Sequence, residues 1–219
     1  MEAFIKKQDF NFIKRCLSDF NNTLRGCLDK NIVETNRLYI QNKIYNQFAD
    51  LSEEQKDILS INHIIDPIEI EPYLNNLETY VYGMPKISEA QIRKLFRKEK
   101  KLKMPSEDIL NSMNVYLSWI DEATNKLFIV YNMNNKFMGM TCRLELHKTN
   151  NTHICSLCNN IGHENKIAFV TSLCKTDNSK YGTYKSIGFH ICLDSNECNN
   201  LITSTDKLES LIKEVNNIK

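Results

Sequence analysis

Apolar positions in the first third of the chain recur at helical steps. Phe10, Ile13, Leu17, Phe20, Leu24 and Cys27 alternate intervals of three and four, which predicts an amphipathic helix of about five turns. Val33, Arg37, Ile40, Ile44 and Phe48 repeat the pattern, with Arg37 the polar break and Asp29 or Asn31 as the cap. Ser52-Glu-Glu-Gln55 has the form of a capping box and opens a shorter helix with Ile58 and Leu59 inward. A fourth helix starts either at Asp66-Pro67, with Asp as cap and Pro in first position, or at Glu71-Pro72, and runs through Leu74, Leu77 and Tyr80. Four helices with short connections predict an antiparallel bundle. His63 stands alone among apolar neighbours and reads as structural.

The pattern changes at Gly83-Met84-Pro85, which sets a boundary between a helical bundle domain, 1–84, and a second domain, 85–219. Ser88-Glu-Ala-Gln91 is another capping box, ahead of Ile92, Leu95 and Phe96. Period-two, β-branched and aromatic runs follow at Val115–Ile120 and Leu127–Tyr131. A turn is predicted at 132–135, then a longer strand over 137–146 with Gly139 as a bulge. Ile167–Leu173 and Lys185–Ile191 read as a strand pair, with Tyr181-Gly182 in the turn between them. Asp206–Val215 reads as a last helix with Leu208, Leu211, Ile212 and Val215 inward. The fold class is therefore α+β.

Charge sharpens the division. Residues 1–84 hold 9 basic and 13 acidic side chains, and the remainder holds 19 and 14. The basic excess concentrates in 86–103, with eight Lys or Arg against two Glu. That stretch could meet phosphates, but no aromatic residues interleave with its charges to stack on bases. A solvated face or an acidic protein partner is the expectation, with no direct nucleic-acid contact. No apolar run approaches the ~20 residues of a membrane span, and the first residues lack the apolar core of a signal peptide. These readings predict a cytoplasmic, monomeric protein.

In a reducing compartment, eight cysteines are more naturally ligands and buried thiols than disulfides. Cys16, Cys27, Cys142 and Cys174 read as core residues of helices and strands. The other four form two pairs, Cys155-Ser-Leu-Cys158 and Cys192-Leu-Asp-Ser-Asn-Glu-Cys198, separated by 33 residues. A Cys-x-x-Cys turn presents two thiolates to one ion, and a second pair completes a tetrahedron. Soft ligands without an open position predict one structural Zn2+, in a treble-clef-like unit of knuckle, hairpin and helix. Free buried thiols or a disulfide are the alternatives.

Catalytic patterns are missing. Cys155 is preceded by Ile154, not by the Pro of a zinc deaminase, and no matching His-x-Glu lies upstream. His163-Glu164 lacks the second His of a metalloprotease helix. His153, His163 and His190 flank the cysteines and read as supporting or surface residues. The expectation is a binding protein and not an enzyme.

Three stretches carry a family resemblance. They are Leu95–Pro105, Trp119 with the strand Lys126–Tyr131, and the cysteine segments Ile154–Asn159 and His190–Asn199 with Asp194-Ser195 inside the second pair. Together they resemble the FusB-type proteins, which bind elongation factor G and confer resistance to fusidic acid. The resemblance covers nearly the whole chain. It implies that the zinc domain grips elongation factor G and helps free the factor from a ribosome on which the drug has trapped it. It also implies a contact surface of Phe169, with its ring toward solvent, Lys185, His190 and Leu208. At the last two positions the family pattern has aromatics, which this chain replaces. The competing reading is a zinc-ribbon RNA- or ribosome-binding protein using the basic stretch 93–103.

Overall fold

The computed structural model describes residues 2–145, 151–176 and 184–218. The chain divides into two compact units, Met1–Tyr82 and Gly83–Lys219.

The first unit is built from α1 (Lys7–Gly26), α2 (Lys30–Tyr45), α3 (Glu53–Ile58) and α4 (Ile70–Glu78). Asp29 caps α2 by accepting the Asn31 amide, and Ser52 with Gln55 forms the full capping box of α3. The earlier of the two candidate starts is used for the last helix. Asp66 caps a 3-10 turn at Pro67–Glu69, which runs straight into α4. Pro72 then falls in the first turn of α4, where no intrahelical donor is needed. Phe10, Ile13, Leu17 and Phe20 of α1 close on Ile40 and Ile44 of α2, on Leu59, and on Tyr73 and Leu77 of α4. Gln41 is buried among them, donating to the Leu59 carbonyl at 3.1 Å and accepting from the Ile61 amide at 2.7 Å. One pairing has no counterpart in the sequence pattern: β1 (Ile5–Lys6) lies parallel to β2 (Val81–Tyr82), tying the two ends of the unit together. His63 is exposed, its ring 5.5 Å from that of Tyr73.

The second unit is an antiparallel sheet in the order β3-β4-β5-β8-β9, formed by Leu117–Asp121, Lys126–Met133, Lys136–Glu145, Ile167–Leu173 and Ser186–Cys192. Asn134 and Asn135, at φ 51° and 61°, make the two-residue turn between β4 and β5, since asparagine tolerates the left-handed region. Strand β4 is buried on both faces, which is why it reads as an unbroken apolar run. Leu127 and Ile129 point to the core that includes the cysteines, while Phe128 and Val130 meet Trp119, Ile92 and Phe96 of α5 (Glu89–Leu95) and its exit. The expected bulge at Gly139 is absent, because the pairing with Val130 continues through it. Gly139 instead makes room for α5: a Cβ there would lie 3.0 Å from the Phe96 ring. A short helix, α6 (Glu107–Asn111), precedes the sheet, and α8 (Asp206–Asn216) packs on the cysteine side of it. Residue 146 and the predicted turn at Tyr181-Gly182 lie outside the described residues. Among the described residues no helix is long and apolar enough to cross a membrane.

Candidate metal centre and outer sheet face

The four paired cysteines arrive from three local structures. Cys155 and Cys158 sit on a knuckle between two short strands, β6 (Thr152–Ile154) and β7 (Ile161–His163), which pair antiparallel. The turn closes through the Asn159 amide on the Cys155 carbonyl, with Asn159 at φ 61°. Strand β9 ends on Cys192. Asp194 then caps α7 (Ser195–Leu201) by accepting the amides of Asn196 and Glu197, and α7 carries Cys198.

All eight cysteines are free, and the sulfurs of Cys155, Cys158, Cys192 and Cys198 lie within 4.8 Å of one another. Cys155 Sγ is 3.8 Å from Cys198 Sγ, and Cys158 Sγ is 3.6 Å from Cys192 Sγ. Four sulfurs at ~2.3 Å from a zinc ion define a tetrahedron with edges of about 3.8 Å. The donor set therefore fits one structural zinc, and the spacing is far from the ~2.05 Å of a disulfide. Electrostatics agrees. The other three thiols hydrogen-bond to Cys155 and hold it well below the usual thiol range. Cys192 and Cys198 are pushed well above it, first by Cys155. Four thiolates cannot coexist in so small a buried space without a cation among them.

The support around this cluster is buried and polar. Asn199, beside Cys198, accepts the amides of Val115 and Tyr116 at 2.7 and 3.1 Å and donates to the carbonyls of Tyr116 and Ser195. It thereby fixes α7 against the approach to β3. Tyr116 is wholly buried, and its hydroxyl finds no close hydrogen-bond partner among the described residues, with the Cys198 sulfur as the acceptor it faces. Burial raises its pKa well above the usual value, and the largest neighbour effect is that of Cys198. The Tyr116 hydroxyl and Asn199 were not singled out from the sequence. The Asx cap at Asp194 was the readable sign of the helix that holds Asn199.

The four residues expected to contact a partner separate in the structure. Phe169 and His190 are opposite one another on β8 and β9, on the face opposite Ala168, Val170, Phe189 and Ile191, with ring centroids 5.1 Å apart. Both are half-buried. His190 stacks at 4.3 Å on His153, which faces Glu164 at 3.4 Å. Burial, then His153, lowers the His190 pKa and favours the neutral ring. This is the face that α5 covers over β3 and β4, and among the described residues Leu173, Ser186 and Gly188 on it are exposed. Lys185 belongs to the other side, its ammonium 2.9 Å from Glu214 of α8. Leu208 has no exposed surface and packs in the core with Leu211, Ile212 and Val215. The inner stripe of this amphipathic helix is spent on the fold.

A mixed α+β chain with a closed four-cysteine centre is of the treble-clef zinc-finger class. The family model described as FBP C-terminal treble-clef zinc-finger matches residues 89–217, and the one described as elongation factor G-binding protein, N-terminal, matches residues 4–85. The chain belongs to this family. It is also similar to a solved structure titled "Structure of the fusidic acid resistance protein FusC", at 27% identity over 98% of each chain and a TM-score of 0.79. No curated protein matches the chain.

Proposed function

We propose that the protein binds elongation factor G through its zinc-bearing domain, residues 85–219, and promotes release of the factor from a ribosome stalled by fusidic acid. The observation that carries this reading is the match of both family models in their expected order along one chain, with a solved fusidic acid resistance protein similar over its whole length. The partly exposed face of β8 and β9 supports the choice of domain, since it offers Phe169 and His190 on a rigid sheet beside the metal centre. The zinc, held by Cys155, Cys158, Cys192 and Cys198, has a structural task. It fixes the knuckle, β9 and α7 to one another, and so fixes the face that docks.

The mechanism is a shift in equilibrium and involves no reaction of the protein's own. A ligand moves a conformational equilibrium only by its differential affinity for the two states. The protein must therefore prefer a form of the factor that fits the ribosome poorly. Residues 1–84 act as a separate helical domain in this reading, and the protein works in the cytoplasm as a monomer. Two measurements test it. Purified protein should bind purified elongation factor G in a calorimetric titration. It should also raise the fraction of factor that leaves fusidic acid-stalled ribosomes in a pelleting assay. Absence of binding in the titration would sink the whole reading, whereas binding without release would sink the mechanism alone.

A further inference from the structure

We infer that the second unit carries a separate face for the phosphate backbone of RNA, formed by Arg97, Lys98, Lys136 and Lys175 around Gly139. Three segments remote in sequence meet at that glycine. The Phe96 ring fills the space its side chain would take, with 3.0 Å between ring and Cβ position. Asn216 at the end of α8 donates to the Gly139 carbonyl at 3.2 Å. Lys175 follows β8, where its amide donates to the Val215 carbonyl at 2.8 Å and its ammonium sits 2.6 Å from Asn216 Oδ1. Arg97 and Lys98 directly follow Phe96, and Lys136 opens the strand that contains Gly139.

All four cations are exposed, and among the described residues none has a carboxylate partner. They bear on one another: after burial, it is Lys98, Arg97 and Lys136 that disfavour the charge on Lys175. The face is also held in place. Trp119 donates its indole N–H to the Lys103 carbonyl at 2.8 Å, and Lys126 neutralises Glu99 at 2.6 Å. The basic run is thus fastened to the sheet at Glu99 and Lys103 and loses little freedom on binding.

The chemistry selects the partner. A protein interface needs a buried apolar anchor; neither 93–103 nor the turn at 134–136 exposes a large apolar side chain, and on the Lys175 side Leu173 is the exposed one. Unopposed cations without aromatics suit a chain of phosphates and read no base sequence. RNA is the polynucleotide to which the proposed function would bring the protein, and to that extent the source rests on that reading. The sequence stretch 93–103 by itself argued against nucleic acid. The fold changes the balance by adding Lys136 and Lys175 from elsewhere in the chain.

The test uses the full-length protein without any translation factor, so that it succeeds or fails apart from factor binding. Fluorescence anisotropy with a labelled U 20-mer should give saturable binding. With about four phosphate contacts, affinity should fall roughly fiftyfold between about 50 and 200 mM salt. Lys98→Glu with Lys136→Glu removes no hydrogen bond and should weaken binding at least tenfold, with circular dichroism unchanged. Lys175→Glu should also weaken it, and Lys43→Glu in the first unit should not. The inference is overturned if no saturable binding occurs at low salt, or if the double reversal changes affinity less than twofold. It is also overturned if poly-glutamate competes as well as unlabelled RNA, which would assign the face to an acidic protein, or if a T 20-mer of DNA binds tenfold more tightly than the RNA.

Discussion

The ring of Phe169 lies across Gly188: a Cβ at position 188 would collide with the ring tip. The two are diagonal neighbours on β8 and β9, and only a residue without a side chain leaves the ring room to lie down on the sheet. One side of Phe169 is thereby packed against the sheet.

That geometry separates two substitutions. Phe169→Ala should weaken binding of elongation factor G by ~2 kcal/mol or more, the scale of an interface anchor. Its cost to folding should stay below the ~3–5 kcal/mol of a core phenylalanine truncation, because the ring is half-buried. Gly188→Ala keeps the ring and lifts it off the sheet, so binding should weaken while zinc content stays at one per chain. Calorimetry with each variant decides. A Phe169→Ala protein that loses several kcal/mol of stability and no affinity would assign the ring to the fold.

Metal removal should divide the chain. Wild-type protein should carry one zinc per chain by elemental analysis, and Cys192→Ser should not retain it stoichiometrically. Structural zinc contributes ~10 kcal/mol or more to small metal domains, so the variant should lose the sheet of the second unit. The helices of the first unit draw their core from Phe10, Ile13, Leu17, Phe20, Ile40, Ile44 and Leu77, which lie far in sequence from Cys155, Cys158, Cys192 and Cys198. A fragment of residues 1–84 should accordingly keep a helical circular dichroism spectrum, and a random-coil spectrum would count against an independent first domain.

How much of this was readable from the residues depended on how local the signal was. Ser52, Asp66 and Ser88 each announce a helix start through contacts three residues away, and all three are capping boxes in the structure. The pairing of Ile5 with Val81 has no such signal, because two-residue strands carry no period and the contact spans most of a unit. The three-residue strands β6 and β7 and the short helices α6 and α7 were too brief for periodicity to reveal. The cysteine spacing gave the donor set, since a knuckle brings its two thiols together locally. The contact surface fared differently. Spacing with Leu211, Ile212 and Val215 already placed Leu208 on the inner stripe of its helix, against the role that resemblance implied. Which way Lys185 turns depended on Glu214, which only the packing of α8 brings near.

In the first unit the buried amide of Gln41 is the most exacting polar contact. It satisfies the Leu59 carbonyl and the Ile61 amide at once, where the chain leaves α3. Gln41→Leu would keep the volume and orphan both backbone groups. At ~1–3 kcal/mol for each of the two buried groups left unpaired, the loss should be about 2–6 kcal/mol. Chemical denaturation followed by helical signal would show it, and a change below about 0.5 kcal/mol would mean that water reaches the site.

The last prediction concerns the hydroxyl of Tyr116. It is fully buried, finds no close hydrogen-bond partner among the described residues, and has Cys198 as the strongest influence on it after burial itself. Its raised pKa keeps it protonated, and therefore a donor, at any physiological pH. A neutral thiol is a weak acceptor, whereas a thiolate bound to zinc carries the negative charge that a buried O–H can meet. The hydroxyl is thus a cost in the metal-free protein and a contribution in the zinc-bound one. Tyr116→Phe should leave metal-free protein no less stable, and should lower zinc affinity about tenfold, as loss of an outer-shell partner does. Competition with a chromophoric chelator measures the affinity, and thermal unfolding with and without chelator measures the two stabilities. A variant that holds zinc as tightly as wild type would leave Tyr116 as packing under α7 and nothing more.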